Sequence, residues 1–364
     1  MAEWNQSPFG ASEMRGTSTG SINRNPGLGR TGFGDTVTIN GQTVSAYDAK
    51  YATYLKLFTG EMIKAYESAC IAKGTVQNRS LRNGKAAQFI FTGRMTSEYH
   101  VPGQPILGLN NDTGLGGMPP VAEKTIVMDD LLISSAFVYD LDETLAHYSL
   151  RSEISAKIGH ALAEAYDKKI FRTIALAARE AHPITASPGP EPGGSIIRLG
   201  ANNEYNAQSL VDAFFEAASI LDEKNMPQQG RTAVLSPRQY YALVSQTDSN
   251  ILNRDEQGTH LQAGSGVYSI AGISIRRSNN LPFKAGTVTT KQGENNDYSG
   301  DFSNHCGLIY YRDAAAVVEA VGPSVQTTGG DVKTMYQGDL IVGRMAMGAG
   351  TLNPAAAIEL QAAA

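Results

Sequence analysis

Cysteine is scarce in this chain, which has only Cys70 and Cys306 in 364 residues. Two thiols cannot build a disulfide framework or a four-cysteine zinc site, and their scarcity suits a reducing compartment. Long apolar runs are missing as well: no stretch approaches the roughly 18 residues that a membrane-spanning helix needs. The start, Met1-Ala2-Glu3-Trp4-Asn5, has neither the basic head nor the apolar run of a secretory signal. The chain therefore reads as soluble and non-secreted, with no membrane partner. Positive charge is not in surplus either; 30 Lys and Arg face 35 Asp and Glu, a net −5. Proteins that grip nucleic acid by releasing counterions generally carry the opposite balance, so dedicated DNA recognition is not expected. Charged residues are 18% of the chain against about 25% in ordinary domains, while the 38 glycines are about one residue in ten against the usual ~7%. That mix implies much loop and much covered surface.

Arrangements that carry catalysis are missing too. The six histidines, His100, His147, His160, His182, His260 and His305, are scattered over loops and helices. Only Glu143 with His147 and His160 with Glu164 set a carboxylate and an imidazole four apart. Two ligands do not make a zinc site, and a solvated helix face accounts for both pairs. No phosphate-binding GxxxxGK(S/T) occurs, since Asn83-Gly84-Lys85-Ala86 lacks the first glycine and the hydroxyl, and Gly264-Ser265-Gly266 is only a turn candidate. No GxSxG elbow occurs, and His305 and Cys306 would point to opposite faces of one strand. Asp140, Asp142 and Glu143 precede helical sequence, where carboxylates cap free N–H groups and complement the dipole. Asp129-Asp130, at a strand break, reads as a bulge or turn. No catalytic residue, metal or cofactor is expected.

What the chain does have is organisation. At about 150 residues per domain, its length allows two or three domains, or one core with large excursions. Residues 1–45, rich in Gly, Ser, Thr and Asn, read either as an extended arm that orders against a partner or as a disordered tail. Such composition cannot offset its own ordering entropy. From Ala46 to Ala72, Tyr51, Leu55, Phe58, Met62 and Tyr66 recur at three- and four-residue spacing, which predicts an amphipathic helix with a break at Gly60. Ala87 to Arg94 and Lys124 to Met128, with Leu131 to Ile133, read as strands. Between them Val101 to Pro120, with Pro102, Pro105, Pro119 and Gly114-Leu115-Gly116-Gly117, offers no core. A two-stranded excursion with a working loop at its tip follows.

From Leu150 onward, Ile154, Ile158, Leu162, Tyr166, Ile170, Ile174 and Ala178 lie four apart, which predicts a helix of about thirty residues, roughly 45 Å long. Such a row drifts about 40° per step, so the apolar stripe winds and needs several partners in turn. His182-Pro183 ends it, and Ser187 to Gly194 reads as a linker or flap. Leu210 to Leu221 predicts a second helix closed by Asn225-Met226-Pro227, and Thr232 to Leu235 a strand. Ser236-Pro237 opens a helix over Gln239 to Gln246. Later strands are expected at Gly272 to Arg277, Cys306 to Arg312, Ala315 to Ala320 and Asp339 to Met347. Helix, strand and helix in succession indicate an α/β layer.

Ordered motifs add a family resemblance. Arg82-Asn83-Gly84-Lys85-Ala86-Ala87-Gln88-Phe89, Gly93-Arg94 and Tyr99 are followed by Lys124-Thr125-Ile126-Val127-Met128-Asp129-Asp130-Leu131-Leu132, Val138-Tyr139-Asp140, His147-Tyr148 and Arg151-Ser152-Glu153. Asn225-Met226-Pro227, Val234-Leu235-Ser236-Pro237, Ser278-Asn279-Asn280-Leu281-Pro282 and Ala346-Met347-Gly348-Ala349-Gly350 continue the series. In this order, over residues 45–355, they resemble the major capsid proteins of short-tailed podoviruses of the Autographivirus type, including those of cyanobacteria. The arm before residue 45 and a polar insert at Thr287 to Ser303 have no matching counterpart.

The resemblance implies an α+β chain with the tailed-phage major capsid fold. It would place an N-terminal arm at 1–79, an extended β-hairpin loop at 80–135, a spine-helix peripheral domain at 136–205 and 341–364, and an axial domain at 206–340. It implies a structural subunit that self-assembles into an icosahedral shell enclosing double-stranded DNA, located in the virion capsid and assembled in the bacterial host cytoplasm. Partners would be further copies in hexamers and pentamers, a scaffolding protein, a portal protein at one vertex, and the packaged DNA through weak, non-specific contact. Lys85, Arg94, Glu98, Tyr99 and His100, on the loop, would touch neighbouring subunits. An encapsulin-like compartment of the same fold and a soluble enzyme are the alternatives.

Overall fold

The row of apolar residues four apart becomes helix α1, Leu150–Arg179, in a computed structural model. The structure describes residues 36–39, 42–45, 61–67, 69–93, 99–100, 102–103, 121–139, 150–184, 191–245, 269–327 and 335–362. The arm before residue 36 and the acidic group at 140–143 lie outside these, as does most of the 101–120 loop. Ile158, Leu162, Tyr166, Ile170, Ile174 and Ala178 are all buried, as the winding stripe requires. Phe171, Ala175 and Ala177 are buried beside them, so the C-terminal half of α1 is covered nearly all round. Beyond its end, Gly194 lies so close that a Cβ there would stand 2.3 Å from the Ala178 carbonyl oxygen. The expected stop after α1 is thus a close backbone crossing that only glycine permits.

The chain forms two units, one of Met1–Tyr66, Ser134–His160 and Ser324–Gly343, the other of Glu67–Ile133, Ala161–Pro323 and Arg344–Ala364. In the first, residues 61–66 are helical. Met62 and Tyr66 are buried, and a Cβ on Gly159 would come within 2.7 Å of the Met62 carbonyl oxygen. Strands β1, Thr36–Ile39, and β2, Gln42–Ser45, pair with each other.

The strands that follow are β3 (Gln77–Ser80), β4 (Ala86–Thr92), β5 (Val121–Val127), β6 (Leu132–Tyr139), β7 (Ser195–Arg198) and β8 (Thr232–Leu235). After them come β9 (Ser269–Ile270), β10 (Ile273–Arg277), β11 (Thr287–Val288), β12 (Gly300–Asp301), β13 (His305–Tyr310), β14 (Ala315–Thr327), β15 (Gly338–Thr351) and β16 (Ala357–Gln361). A mixed six-stranded sheet runs β7-β16-β13-β8-β10-β9, and a four-stranded sheet runs β3-β14-β15-β6. β16, at the C-terminal end, therefore sits between β7 and β13. β8 and β13 are buried along their whole length, as strands covered on both faces must be.

Helices α2, Ala207–Glu223, and α3, Pro237–Ser245, bury Leu210, Phe214, Ala217, Leu221, Tyr240 and Leu243 in the core of this sheet. Their ends follow the sequence closely. The Asn206 side chain accepts the Gln208 N–H, and Asn225, at φ 57°, turns the chain away after α2. Ser236 and Gln239 cap α3 reciprocally: Gln239 N–H donates to Ser236 Oγ at 3.4 Å and Ser236 N–H to Gln239 Oε1 at 3.0 Å.

Candidate functional site

β4 and β5 form an antiparallel hairpin, paired from Ala86 with Val127 out to Thr92 with Val121, with no third strand beside them among the described residues. Side chains alternate across such a ribbon, so its two faces have different fates. Ala87, Phe89 and Phe91 lie opposite Ile126, Lys124 and Ala122 on the inner face. Ala87 and Ile126 join Met128, Ala316, Val318 and Leu352 in a small core, with Phe89 and Phe91 packed against it. On the outer face Ile90 is 71% and Val121 52% exposed, and Tyr99 beyond the hairpin is fully exposed.

The root of the hairpin is built from polar groups. Lys124 Nζ donates to both Glu180 oxygens, at 2.7 and 2.9 Å, and to Thr351 Oγ1. The Asp129 carboxylate is buried. Its Oδ2 accepts from Tyr298 Oη at 2.7 Å and Lys169 Nζ at 3.1 Å, and its Oδ1 accepts the Asn295 N–H at 2.8 Å. Asn296 imitates a strand neighbour: its Nδ2 donates to the Val127 carbonyl at 2.6 Å while its Oδ1 accepts the Val127 N–H at 3.1 Å. Burial, and then the Asp129 charge, push the Tyr298 hydroxyl well above the usual phenol range, so it stays a proton donor. Behind β5, a Cβ on Gly348 would meet the Val127 carbonyl oxygen at 2.1 Å. The two backbones touch there because this residue has no side chain.

Two expectations change at this root. Asp129 is neither a bulge nor a simple turn residue, because five donors converge on its buried carboxylate. The polar insert at 287–303 supplies four of those five through Asn295, Asn296 and Tyr298, so it is a clamp on the hairpin. Local reading missed it because the partners are more than 160 residues apart. The one hint was a tyrosine after an Asn-Asn pair in an otherwise polar run.

Among the expected contact residues, Lys85 is exposed at the hairpin root, where its carbonyl accepts the Met128 N–H at 2.8 Å. Tyr99 and His100 are exposed, and Arg94 and Glu98 lie outside the described residues. Among the described residues, no group of three or more His, Cys, Asp or Glu is arranged to hold a metal ion.

The sequence family described as Gp10A-like major capsid protein matches residues 89–361. The chain is 24% identical over 344 residues to the major capsid protein of Escherichia phage T7, covering 88% of this chain and 94% of that one. It superposes on a chain from the capsid structure of the cyanophage P-SCSP1u with a TM-score of 0.69 and 33% identity, over 90% of this chain and 97% of that one. A chain of the bacteriophage PhiM1 mature capsid matches at a TM-score of 0.63 and 17% identity, over 80% and 87%.

Proposed function

We infer, for a chain that belongs to the Gp10A-like family of major capsid proteins, that the β4–β5 hairpin is the arm by which one subunit holds the next. The chain is a structural subunit of a phage capsid shell, present in many copies in the virion and not an enzyme. Its fold is the α+β tailed-phage capsid fold, and its relatives are those of the podovirus type.

The observation that carries the hairpin reading is a ribbon rooted on its own subunit by its inner face while Ile90 and Val121 on the outer face are left to solvent. Such a surface is covered when copies pack side by side. Within the shell, residues 80–135 act as the extended loop, with Lys85, Arg94, Glu98, Tyr99 and His100 at contacts between subunits. Residues 1–79 act as the N-terminal arm, 136–205 and 341–364 as the spine-helix peripheral domain and 206–340 as the axial domain. Copies form hexamers and pentamers on a separate scaffolding protein in the host cytoplasm, with a portal at one vertex. The net charge of −5 suits a wall that contains double-stranded DNA without gripping it.

Replacing His100 to Pro120 with a two-residue Asn-Gly turn tests this reading. The flanking strands can still pair, and loop closure entropy changes little. Circular dichroism melts should show a folded subunit, while sedimentation should show no shells. An unfolded truncated subunit, or particles at normal yield, would refute the assignment.

A further inference from the structure

Helix α2 carries a phenylalanine on its outward side. Phe214 is fully buried, but its neighbour Phe215 is 59% exposed. On a helix the residues three before and four after share a face, and here these are Asp212 and Ser219, with Glu216 beside them; all three are exposed. No lysine or arginine occurs anywhere in α2, and no cation is paired with Glu216 among the described residues. This is an apolar knob in an acidic setting.

The chain also has a matching hollow. A cavity of about 410 Å³ opens beside the start of α3, lined by Tyr205, Pro237, Arg238, Asn279, Leu281 and Phe283 together with two serines. The Arg238 guanidinium lies 4.0 Å from the centre of the Tyr205 ring, and the rings of Tyr205 and Phe283 are 5.9 Å apart. Glu204, the carboxylate that feels the Arg238 charge, is bound by Lys284. Arg238 therefore brings positive charge to a recess with two aromatic rings and a leucine in its wall, while α2 brings surplus negative charge around an exposed ring.

We propose that Phe215 of one subunit seats in the Tyr205, Leu281 and Phe283 hollow of a second copy of this chain, with Asp212 and Glu216 facing Arg238. The proposal rests on the shell reading, which supplies the copies. Buried aromatic anchors flanked by complementary charge are the usual carriers of affinity and register in protein interfaces. Because knob and hollow are different surfaces, the contact is heterologous. It passes from copy to copy in one sense and closes into a ring where the rotation per step allows.

A charge swap tests it, using the full-length chain coexpressed with the assembly proteins of its phage. Phe215→Ala, Glu216→Arg and Arg238→Glu, each alone, should cut particle yield at least tenfold in sedimentation, with subunit melting curves unchanged. The double variant E216R/R238E should recover most of that yield. In parallel, Ser219→Cys with Asn279→Cys in otherwise unaltered particles should give an oxidant-dependent ladder of multimers on a non-reducing gel. The cysteine pair decides the matter if a single variant melts early. Normal yield from all three single variants overturns the contact, as does a double variant no better than the worse single one, or the absence of any ladder. Particles that assemble normally but lose a different bound protein assign the hollow to that partner instead and equally overturn it. Absence of shells from the unaltered chain would sink the shell reading first.

Discussion

Glu359, on β16, is fully buried and accepts four hydrogen bonds. Arg179, in the last turn of α1, reaches it through Nε and Nη2 at 2.6 and 2.5 Å, Gln361 donates at 2.9 Å, and His305 Nδ1 lies at 2.7 Å. Burial would raise the Glu359 pKa, but the bonds from Arg179 and His305 outweigh it and hold the group below the usual carboxylate range. Burial pushes His305 below the usual imidazole range, against the pull of Glu359. Its Nε2 has no partner among the described residues, so a proton there would be a buried donor without an acceptor. The sign follows from linkage. A histidine with a depressed pKa when folded binds its proton better when unfolded, so its share of stability is complete above about pH 6.5 and is lost as pH falls below that value. Thermal melts should therefore fall between pH 7 and pH 5.5. The fall should be shallower in His305→Gln, which keeps a donor toward Glu359 but does not titrate. A parallel fall in both proteins would assign the effect to other groups, of which His182, also lowered by burial, is the first to test. Arg179→Met leaves Glu359 buried without its cation and should cost about 3–5 kcal/mol in denaturant unfolding.

Besides its packed inner face and the Lys124 contacts, the hairpin is attached through one short stretch, residues 127–130. Lys169 of α1, Tyr298 and the Asn295-Asn296 pair all converge on Asp129, so this carboxylate, beside the Asn296 bonds to Val127, ties the end of β5 to the long helix and to the 287–303 segment. Asp129→Ala removes the shared acceptor and leaves Lys169 with Glu294, at 3.6 Å, as its one anionic partner among the described residues. A loss of about 3–5 kcal/mol is expected for a buried pair broken on one side. Amide hydrogen exchange should localise that loss. Protection should drop in β4 and β5 before it drops in β8 and β13, whose buried strands share no bond with Asp129. Uniform loss across all four strands would show that the hairpin and the six-stranded sheet open as one unit.

For the whole subunit, the low charge content and the exposed apolar side chains have one physical reading. Ile90, Phe215 and Tyr336 are each more than half exposed, on a chain whose charged residues are only 18%. An isolated subunit leaves these groups in water. The proposed scaffold predicts how the chain behaves by itself. The chain expressed alone should give subunits and irregular aggregates, and uniform closed particles should appear only with a scaffolding partner. Electron microscopy and sedimentation distinguish these outcomes. Uniform shells from the chain alone would count against a separate scaffold.

Elements whose stability is local were legible in the sequence. The i+4 apolar row specifies α1 to its full thirty residues, because a helix closes its hydrogen bonds within itself and needs only a covered stripe. Ser236-Pro237 and Asn225 specify helix ends, because capping involves neighbours in the chain. Period-two alternation gave away the strands beside the long loop. The tertiary structure alone decided which strands pair, that β16 enters the sheet between β7 and β13, and that Asn295, Asn296 and Tyr298 clamp Asp129. It also decided that Glu359 has both Arg179 and His305 as partners. These contacts bridge residues from about 50 to 180 apart in the chain. A buried charge is tolerable only where the fold brings its partner, and no local pattern records which distant residue that will be.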